Sequence, residues 1–238
     1  MKIALLGYGK MGKAIEEIAV SRGHEIVLKV NIDNLEDNTI ENIRKADVVI
    51  EFTGPESAFE NIKKCIEAGV PVVSGSTGWL NKYEEAKNFC EAKNGTFLYA
   101  SNFSVGVVIF FAVNERLAEL MAAQPQYDVS IREIHHTAKL DAPSGTAITL
   151  AEQVLERSSF KKNWVKEQGL NKDELSIFSE RIDPAPGTHH VKYSSEIDEI
   201  EIIHTAHSRK GFAGGAVLAA EFIKDRKGIF SMRDVLGI

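Results

Sequence analysis

Residues 133–146 read Glu-Ile-His-His-Thr-Ala-Lys-Leu-Asp-Ala-Pro-Ser-Gly-Thr and concentrate more acid/base and anion-binding capacity than any other part of the chain. Imidazoles titrate near neutrality, and a lysine set beside a nucleotide and cationic neighbours can have a lowered pKa. His135, His136 and Lys139 are therefore available proton donors. Hydride reduction of a conjugated imine calls for such a donor, because electron density arrives with the hydride and the adjacent carbon or nitrogen must gain a proton. Lys139 can equally hold a substrate carboxylate. The string Asp141-Ala-Pro-Ser-Gly-Thr146 opens a helix, so backbone N–H groups around Gly145 and the Thr146 hydroxyl form a cradle for a carboxylate. One histidine alone is more often structural; two beside a lysine and a Gly-Thr helix start point to function.

A second signature stands near the amino terminus. Gly7-Tyr8-Gly9-Lys10-Met11-Gly12 lies between an apolar run at 3–6 and a helical pattern carrying Met11, Ile15, Ile18 and Ala19. In that context Gly-x-Gly-x-x-Gly lets the backbone approach a pyrophosphate, which rests on the positive end of the helix. Asp33 follows at about the 20-residue interval expected of a ribose-binding carboxylate. A carboxylate on the 2′-hydroxyl favours NADH. No Arg or Lys follows Asp33 until Arg44, although Lys10 can add positive charge, so the cofactor is NADH or NADPH with Asp33 favouring NADH. Gly75 and Thr77, and Ala100 and Phe103, fall at later strand ends, where doubly wound sheets bind ligands, and are candidates to line the nicotinamide. Phe52-Thr-Gly-Pro55 ends another strand and borders the adenosine side.

Other polar residues carry less. His204 and His207 have Asp198, Glu199 and Glu201 nearby, but residues three apart on a strand face opposite sides, and no HExxH or CxxC spacing occurs. No metal is expected. His189 and His190 likewise face opposite ways, so at most one reaches a site. Arg209 is a candidate to steer an anionic substrate, with a solvated basic turn as the equal alternative.

These residues need a scaffold. Apolar runs at 3–6, 25–30, 46–53, 71–74 and 96–100 alternate with helical patterns, including one that starts at Pro55, carries Phe59, Ile62 and Ile66, and stops at Gly69. Such alternation predicts a parallel sheet covered on both faces, a Rossmann-type doubly wound domain. The run at 103–113 is interrupted by Asn114-Glu-Arg116, too early for a bilayer span, and reads as a buried helix. Beyond it come a half-exposed strand at 129–134, a helix at 144–157, a stretch without period at 158–172, and strands at 175–180, 190–194 and 199–207 that read as antiparallel neighbours in an open sheet. A helix at 213–224 follows. The expected fold class is thus α/β, with a dinucleotide-binding domain (1–103 and 213–238) and a second, α+β domain with an open mixed sheet (104–212) for substrate binding and oligomerisation.

With 44% hydrophobic residues in 238, the chain can bury a sizeable core, and its net charge of −6 with dispersed basic residues argues against nucleic acid. Cys65 and Cys90 stand apart inside helical patterns and read as reduced thiols. With no secretory signal at the start and no membrane span, a cytoplasmic protein is expected.

The chain resembles the 4-hydroxy-tetrahydrodipicolinate reductase (dihydrodipicolinate reductase) family over nearly its whole length. The histidine pair, the lysine three positions on and Asp-Ala-Pro-Ser-Gly-Thr carry the likeness, supported by Phe52-Thr-Gly-Pro-Glu56, Gly75-Ser-Thr-Gly78, Asn102-Phe-Ser-Val-Gly106, Gly187-Thr-His189 and Ser208-Arg209. The resemblance implies His135 as proton donor or acceptor, Lys139 as proton donor, and His136, Lys139, Gly145 and Thr146 on a small dicarboxylate. It places nucleotide contacts on residues 7–12, Asp33, Gly75, Ser76, Thr77, Ala100, Ser101, Asn102 and Phe103. The implied reaction is reduction of 4-hydroxy-tetrahydrodipicolinate to tetrahydrodipicolinate with loss of water, in lysine biosynthesis through diaminopimelate, by a cytoplasmic homotetramer. Two departures stand out: the glycine turn is shorter than in many members, and Arg181 is followed by Ile-Asp-Pro-Ala-Pro where a glycine-containing loop is usual. The competing readings are another two-domain NAD(P)-dependent oxidoreductase acting on a small carboxylate, and a non-catalytic nucleotide sensor, which would not need His135 and Lys139 together.

Overall fold

A computed structural model describes residues 1–208 and 210–238. Two compact units divide the chain, one comprising Met1–Val108 with Lys210–Ile238, the other Ile109–Arg209. Arg209 itself, and with it the anion-steering role considered for that residue, lies outside the described residues.

The first unit is built on strands β1 (Lys2–Leu6), β2 (Glu25–Val30), β3 (Val48–Glu51), β4 (Val72–Ser74) and β5 (Thr96–Tyr99). Helices α1 (Lys10–Ser21), α2 (Ile40–Ile43), α3 (Ala58–Ala68) and α4 (Tyr83–Ala92) connect them. Alternate residues of each strand serve opposite faces. Ile3, Leu5, Ile50, Val73 and Leu98 pack with Ile15 and Ala19 of α1, whereas Ala4, Leu6, Val49, Val72 and Phe97 pack with Ile62, Cys65 and Ile66 of α3 and Ala86 and Cys90 of α4. Both faces are dry, which is why these strands read as continuous apolar runs. Each fully buried large aliphatic side chain contributes about 1.5–3 kcal/mol. Both cysteines are free and buried.

The second unit begins within α5 (Val105–Met121) and continues with β6 (Asp128–His135), α6 (Gly145–Arg157), β7 (Asn163–Lys166), β8 (Glu174–Arg181), β9 (Gly187–Ser194) and β10 (Glu199–Ala206). Its sheet order is β10-β9-β6-β8-β7. One face packs Val129, Ile131, Leu175, Ile177, Val191 and Tyr193 against Leu150, Ala151 and Val154 of α6. The chain then returns to the first unit as α7 (Lys210–Ile223), β11 (Gly228–Phe230) and α8 (Met232–Leu236). The completed first sheet is parallel, in the order β11-β5-β4-β3-β1-β2, and Ala213, Ala216 and Ala220 of α7 join Ile15 and Ala19 on its face.

The structure corrects four expectations. β8 and β9 are not antiparallel neighbours: they flank β6, which pairs parallel with β8 and antiparallel with β9. The stretch at 158–172 contains β7, an edge strand too short and too polar to show a period. The three-residue β11 adds an edge to the first sheet. The helix read as buried at 103–113 exposes Ile109 (46%) and Val113 (44%), so only one stripe of α5 is core. Among the described residues no helix is long and apolar enough to cross a membrane.

Candidate active site

Pleating places Val129, Ile131, Glu133 and His135 on one face of β6. The first two enter the apolar core; the last two form a polar cluster at the strand's carboxyl end. Register supplies their neighbours. Glu133 lies opposite His189 of β9, and His135 opposite Arg181 of β8. Glu133 is fully buried, and His135 and His189 nearly so.

The Glu133 carboxylate accepts the backbone N–H of Ser144 at 3.1 Å on both oxygens and the Arg181 guanidinium at 3.2 Å on Oε1. Its Oε2 lies 3.4 Å from His135 Nε2. Burial pushes the Glu133 carboxyl up, but hydrogen bonds from His135 and Ser144 outweigh this and hold it well below the carboxylate range. It is an ion at every physiological pH. Burial, followed by the neighbouring His135 imidazole, pushes His189 down to about 3, so that ring stays neutral.

The loop after β6 is tied down from below. Arg181 donates to the backbone carbonyls of Lys139 and Asp141 as well as to Glu133. Thr137 donates through both its N–H and its hydroxyl to Asp183, so the Ile-Asp-Pro-Ala-Pro segment after Arg181 braces this loop. Within it Lys139 Nζ sits 2.8 Å from Asp141, and His136 is half-buried. Ser144 caps α6, accepting from Ala147 N–H at 3.2 Å. Gly145 and Thr146 therefore form the first turn of a 13-residue helix, where N–H groups are free of intrahelical partners. His135, Lys139, Gly145 and Thr146 thus come from one strand end, one braced loop and one helix start. Glu133, Arg181 and His189 complete the cluster. Local spacing hides their roles, because only sheet register brings them together; the one sequence signal for His189 is the Gly-Thr-His string.

Gly187 shapes the site by close approach. Its φ is +156°, and a Cβ there would lie 2.9 Å from His135 Cε1. Gly187→Ala is expected to displace the His135 ring, reducing turnover and lowering unfolding free energy by more than about 1 kcal/mol. Urea denaturation alongside steady-state rates checks this, and an unchanged midpoint would contradict the packing described.

In the first unit the strand order reverses between β1 and β3, where doubly wound sheets leave a crevice. A groove of about 610 Å³ lies there, lined by Gly7, Gly9, Asn31, Ile32, Thr53 and Lys64 among others. Gly7 has φ +95°, and a Cβ on it would strike the Phe52 carbonyl, whereas Gly9 borders open space in which a phosphate can approach the backbone. Gly12 is buried in the packing of α1 on the turn, Tyr8 donates to Glu16, and Lys10 and Met11 begin α1. Asp33 is exposed on the 3-10 turn Ile32–Asp37 and does not line the groove; β2 ends at Val30, so Asn31 and Ile32 occupy the lining instead. Ser76 is buried, donating to Glu51 and accepting from Thr53 N–H. Glu51, a buried carboxylate at the end of β3, also accepts from Ser74 and Thr53 and so fixes the ends of β3 and β4. Gly75 and Ala100 are half-buried, and Thr77 and Ser101 are exposed. Asn102 caps the backbone of Ser104, and Phe103 is buried 5.5 Å from the Phe52 ring.

A glycine turn on the switch point of a parallel sheet, with a mixed-sheet unit bearing a His, Lys and Glu cluster, defines the class of two-unit nicotinamide-nucleotide oxidoreductases. Residues 1–103 match the family model "Dihydrodipicolinate reductase, N-terminus" and residues 106–236 match "Dihydrodipicolinate reductase, C-terminus". The chain belongs to the dihydrodipicolinate reductase family. It is 52% identical over 236 residues to a 4-hydroxy-tetrahydrodipicolinate reductase of Christiangramia forsetii, covering 99% of this chain and 98% of that one. A 4-hydroxy-tetrahydrodipicolinate reductase of Methanothermobacter thermautotrophicus is 35% identical, with 95% and 85% covered. A dipicolinate-bound dihydrodipicolinate reductase from Paenisporosarcina sp. TG-14 shares the fold, with a TM-score of 0.78 at 23% identity over 97% of each chain.

Proposed function

We infer that the chain reduces 4-hydroxy-tetrahydrodipicolinate to tetrahydrodipicolinate, with oxidation of NADH or NADPH and loss of water, in lysine biosynthesis through diaminopimelate. The observation that carries this reading is the 52% identity across the whole chain to a reductase of that name, together with a braced loop presenting Lys139 above a buried Glu133–His135 pair. Residues 1–103 with 213–238 are assigned nucleotide binding, and residues 104–212 substrate binding, proton supply and subunit association.

Lys139 is less enclosed than His135, and Asp141, with which it pairs, is exposed. It is assigned contact with a substrate carboxylate and delivery of the proton that follows hydride. Glu133 supplies the counter-charge for a protonated His135, the second catalytic acid. His136, Gly145 and Thr146 are assigned to the dicarboxylate, the last two through the first turn of α6. On unit 1 the nucleotide is assigned to residues 7–12, with Gly7 and Gly9 toward the pyrophosphate, and to Gly75, Ser76, Thr77, Ala100, Ser101, Asn102 and Phe103. No metal takes part. Edge strand β10 of the second sheet exposes Ile200 on one face and Ile203 on the other; association as a homotetramer is assigned to this sheet, and the setting is assigned as cytoplasmic.

His135→Gln is expected to lower kcat by about 10²–10⁴ while leaving the Kd for NADH within a fewfold of wild type. Steady-state kinetics with fluorescence titration of the nucleotide tests the assignment; an equal loss of NADH affinity would sink it. Asp33 directly follows Ile32, which lines the groove, and its carboxylate is assigned the choice of NADH over NADPH. Asp33→Ala should then weaken NADH more than NADPH, and an unchanged ratio of the two Kd values removes Asp33 from nucleotide selection.

A further inference from the structure

Three buried ligand atoms converge beneath the active-site loop. His135 Nε2 and His189 Nε2 are 3.3 Å apart, and Glu133 Oε2 lies 3.4 Å from the first and 3.8 Å from the second. Ligands held at about 2.0–2.1 Å around a tetrahedral ion are about 3.3–3.4 Å from one another. The cluster needs little movement to reach that spacing.

The hydrogen bonds around the cluster leave the protons between its three atoms exchangeable for a cation. Ser144 Oγ already accepts from Ala147 N–H, so its proton is available to His189 Nε2, 3.2 Å away. With the His189 proton on Nδ1, which is buried without a hydrogen-bond partner among the described residues, Nε2 carries the ring's single lone pair, and a cation there would take the place of the Ser144 proton. A cation between the two Nε2 atoms would likewise displace the proton through which His135 reaches Glu133 Oε2. Arg181 occupies Oε1 of Glu133 and leaves Oε2 to the cluster. Its positive charge, with that of Lys139 nearby, opposes a second cation and makes binding reversible. Two imidazoles and one carboxylate suit zinc-type transition ions rather than magnesium or calcium.

We propose that Glu133, His135 and His189 form an inhibitory site for a divalent transition ion of the zinc type, which silences the enzyme by binding the His135 nitrogen. The binding part stands on the geometry alone, and the inhibitory part rests on the role given to His135 above.

Zn²⁺ and Co²⁺ titrated into chelator-treated full-length protein test it. One ion per chain is expected, with Co²⁺ visible bands of tetrahedral form and no thiolate charge-transfer band. Side-chain ¹⁵N spectra of the wild type should show two histidines shifting at Nε2, and His189→Gln should weaken Zn²⁺ at least tenfold. Saturating Zn²⁺ should lower turnover at least tenfold, with recovery on adding EDTA and no effect of Mg²⁺. Absence of binding, a thiolate band from Cys65 or Cys90, or no histidine shift in the wild-type spectra would overturn the site, whether or not the variant folds. Binding at the two histidines with undiminished turnover would overturn inhibition. Metal binding by a chain that reduces no substrate would instead count against the function assigned above, leaving the site intact.

Discussion

Lys139→Ala lowers kcat by about 10²–10⁴ and raises KM for the dicarboxylate, with nucleotide affinity unchanged, because Lys139 lies in the second unit and the groove given to the nucleotide lies wholly in the first. Lys139→Arg separates its two duties. A guanidinium can still bind a carboxylate but does not release a proton near neutrality. The arginine variant is therefore expected to keep KM within a fewfold of wild type while kcat stays near the alanine level. If arginine restored turnover, Lys139 would be an anchor only, and proton delivery would pass to His135.

Removing the carboxylate at position 133 should have the largest effect on stability. Glu133 is fully buried, and three kinds of donor converge on it: the Ser144 N–H, the Arg181 guanidinium and the His135 imidazole. Truncating one member of a buried ion pair leaves the other charge without compensation, at a cost of about 3–5 kcal/mol. Glu133→Ala is expected to lose that much unfolding free energy in urea, and turnover with it, since the loop bearing Lys139 is held by the same Arg181. Glu133→Gln, which keeps an acceptor for Ser144, should lose less stability. A cost below about 1 kcal/mol for Glu133→Ala would mean that the cluster is more hydrated than its burial shows.

Much of this architecture is legible in the chain. The sheet of the first unit is covered on both faces, so its strands at 3–6, 48–51 and 72–74 advertise themselves as unbroken apolar runs between helices. The helix stop at Gly69 is equally plain: it adopts φ +75°. The second unit hides more. β7 is a four-residue edge strand, and the order β9-β6-β8 depends on pairings between segments distant in sequence. That register makes a polar cluster of Glu133, His189 and Arg181 out of residues that look unrelated along the chain. His135 and Lys139 stand out in their local string, whereas the residues that hold them do not. Asp33, assigned from its interval to the glycine turn, stands on a 3-10 turn next to the groove-lining Asn31 and Ile32, a placement that its spacing alone does not reveal.

Everything assigned to the two units serves one transfer, that of hydride from a nicotinamide to the ring of a small diacid. Nucleotide deuterated at the nicotinamide C4 position, mixed with freshly generated 4-hydroxy-tetrahydrodipicolinate, tests it most directly. The expected product is tetrahydrodipicolinate carrying one deuterium on a ring carbon for each nucleotide oxidised. Tight binding of nucleotide and diacid with no label transferred and no nucleotide consumed would contradict it and leave a sensor in place of an enzyme.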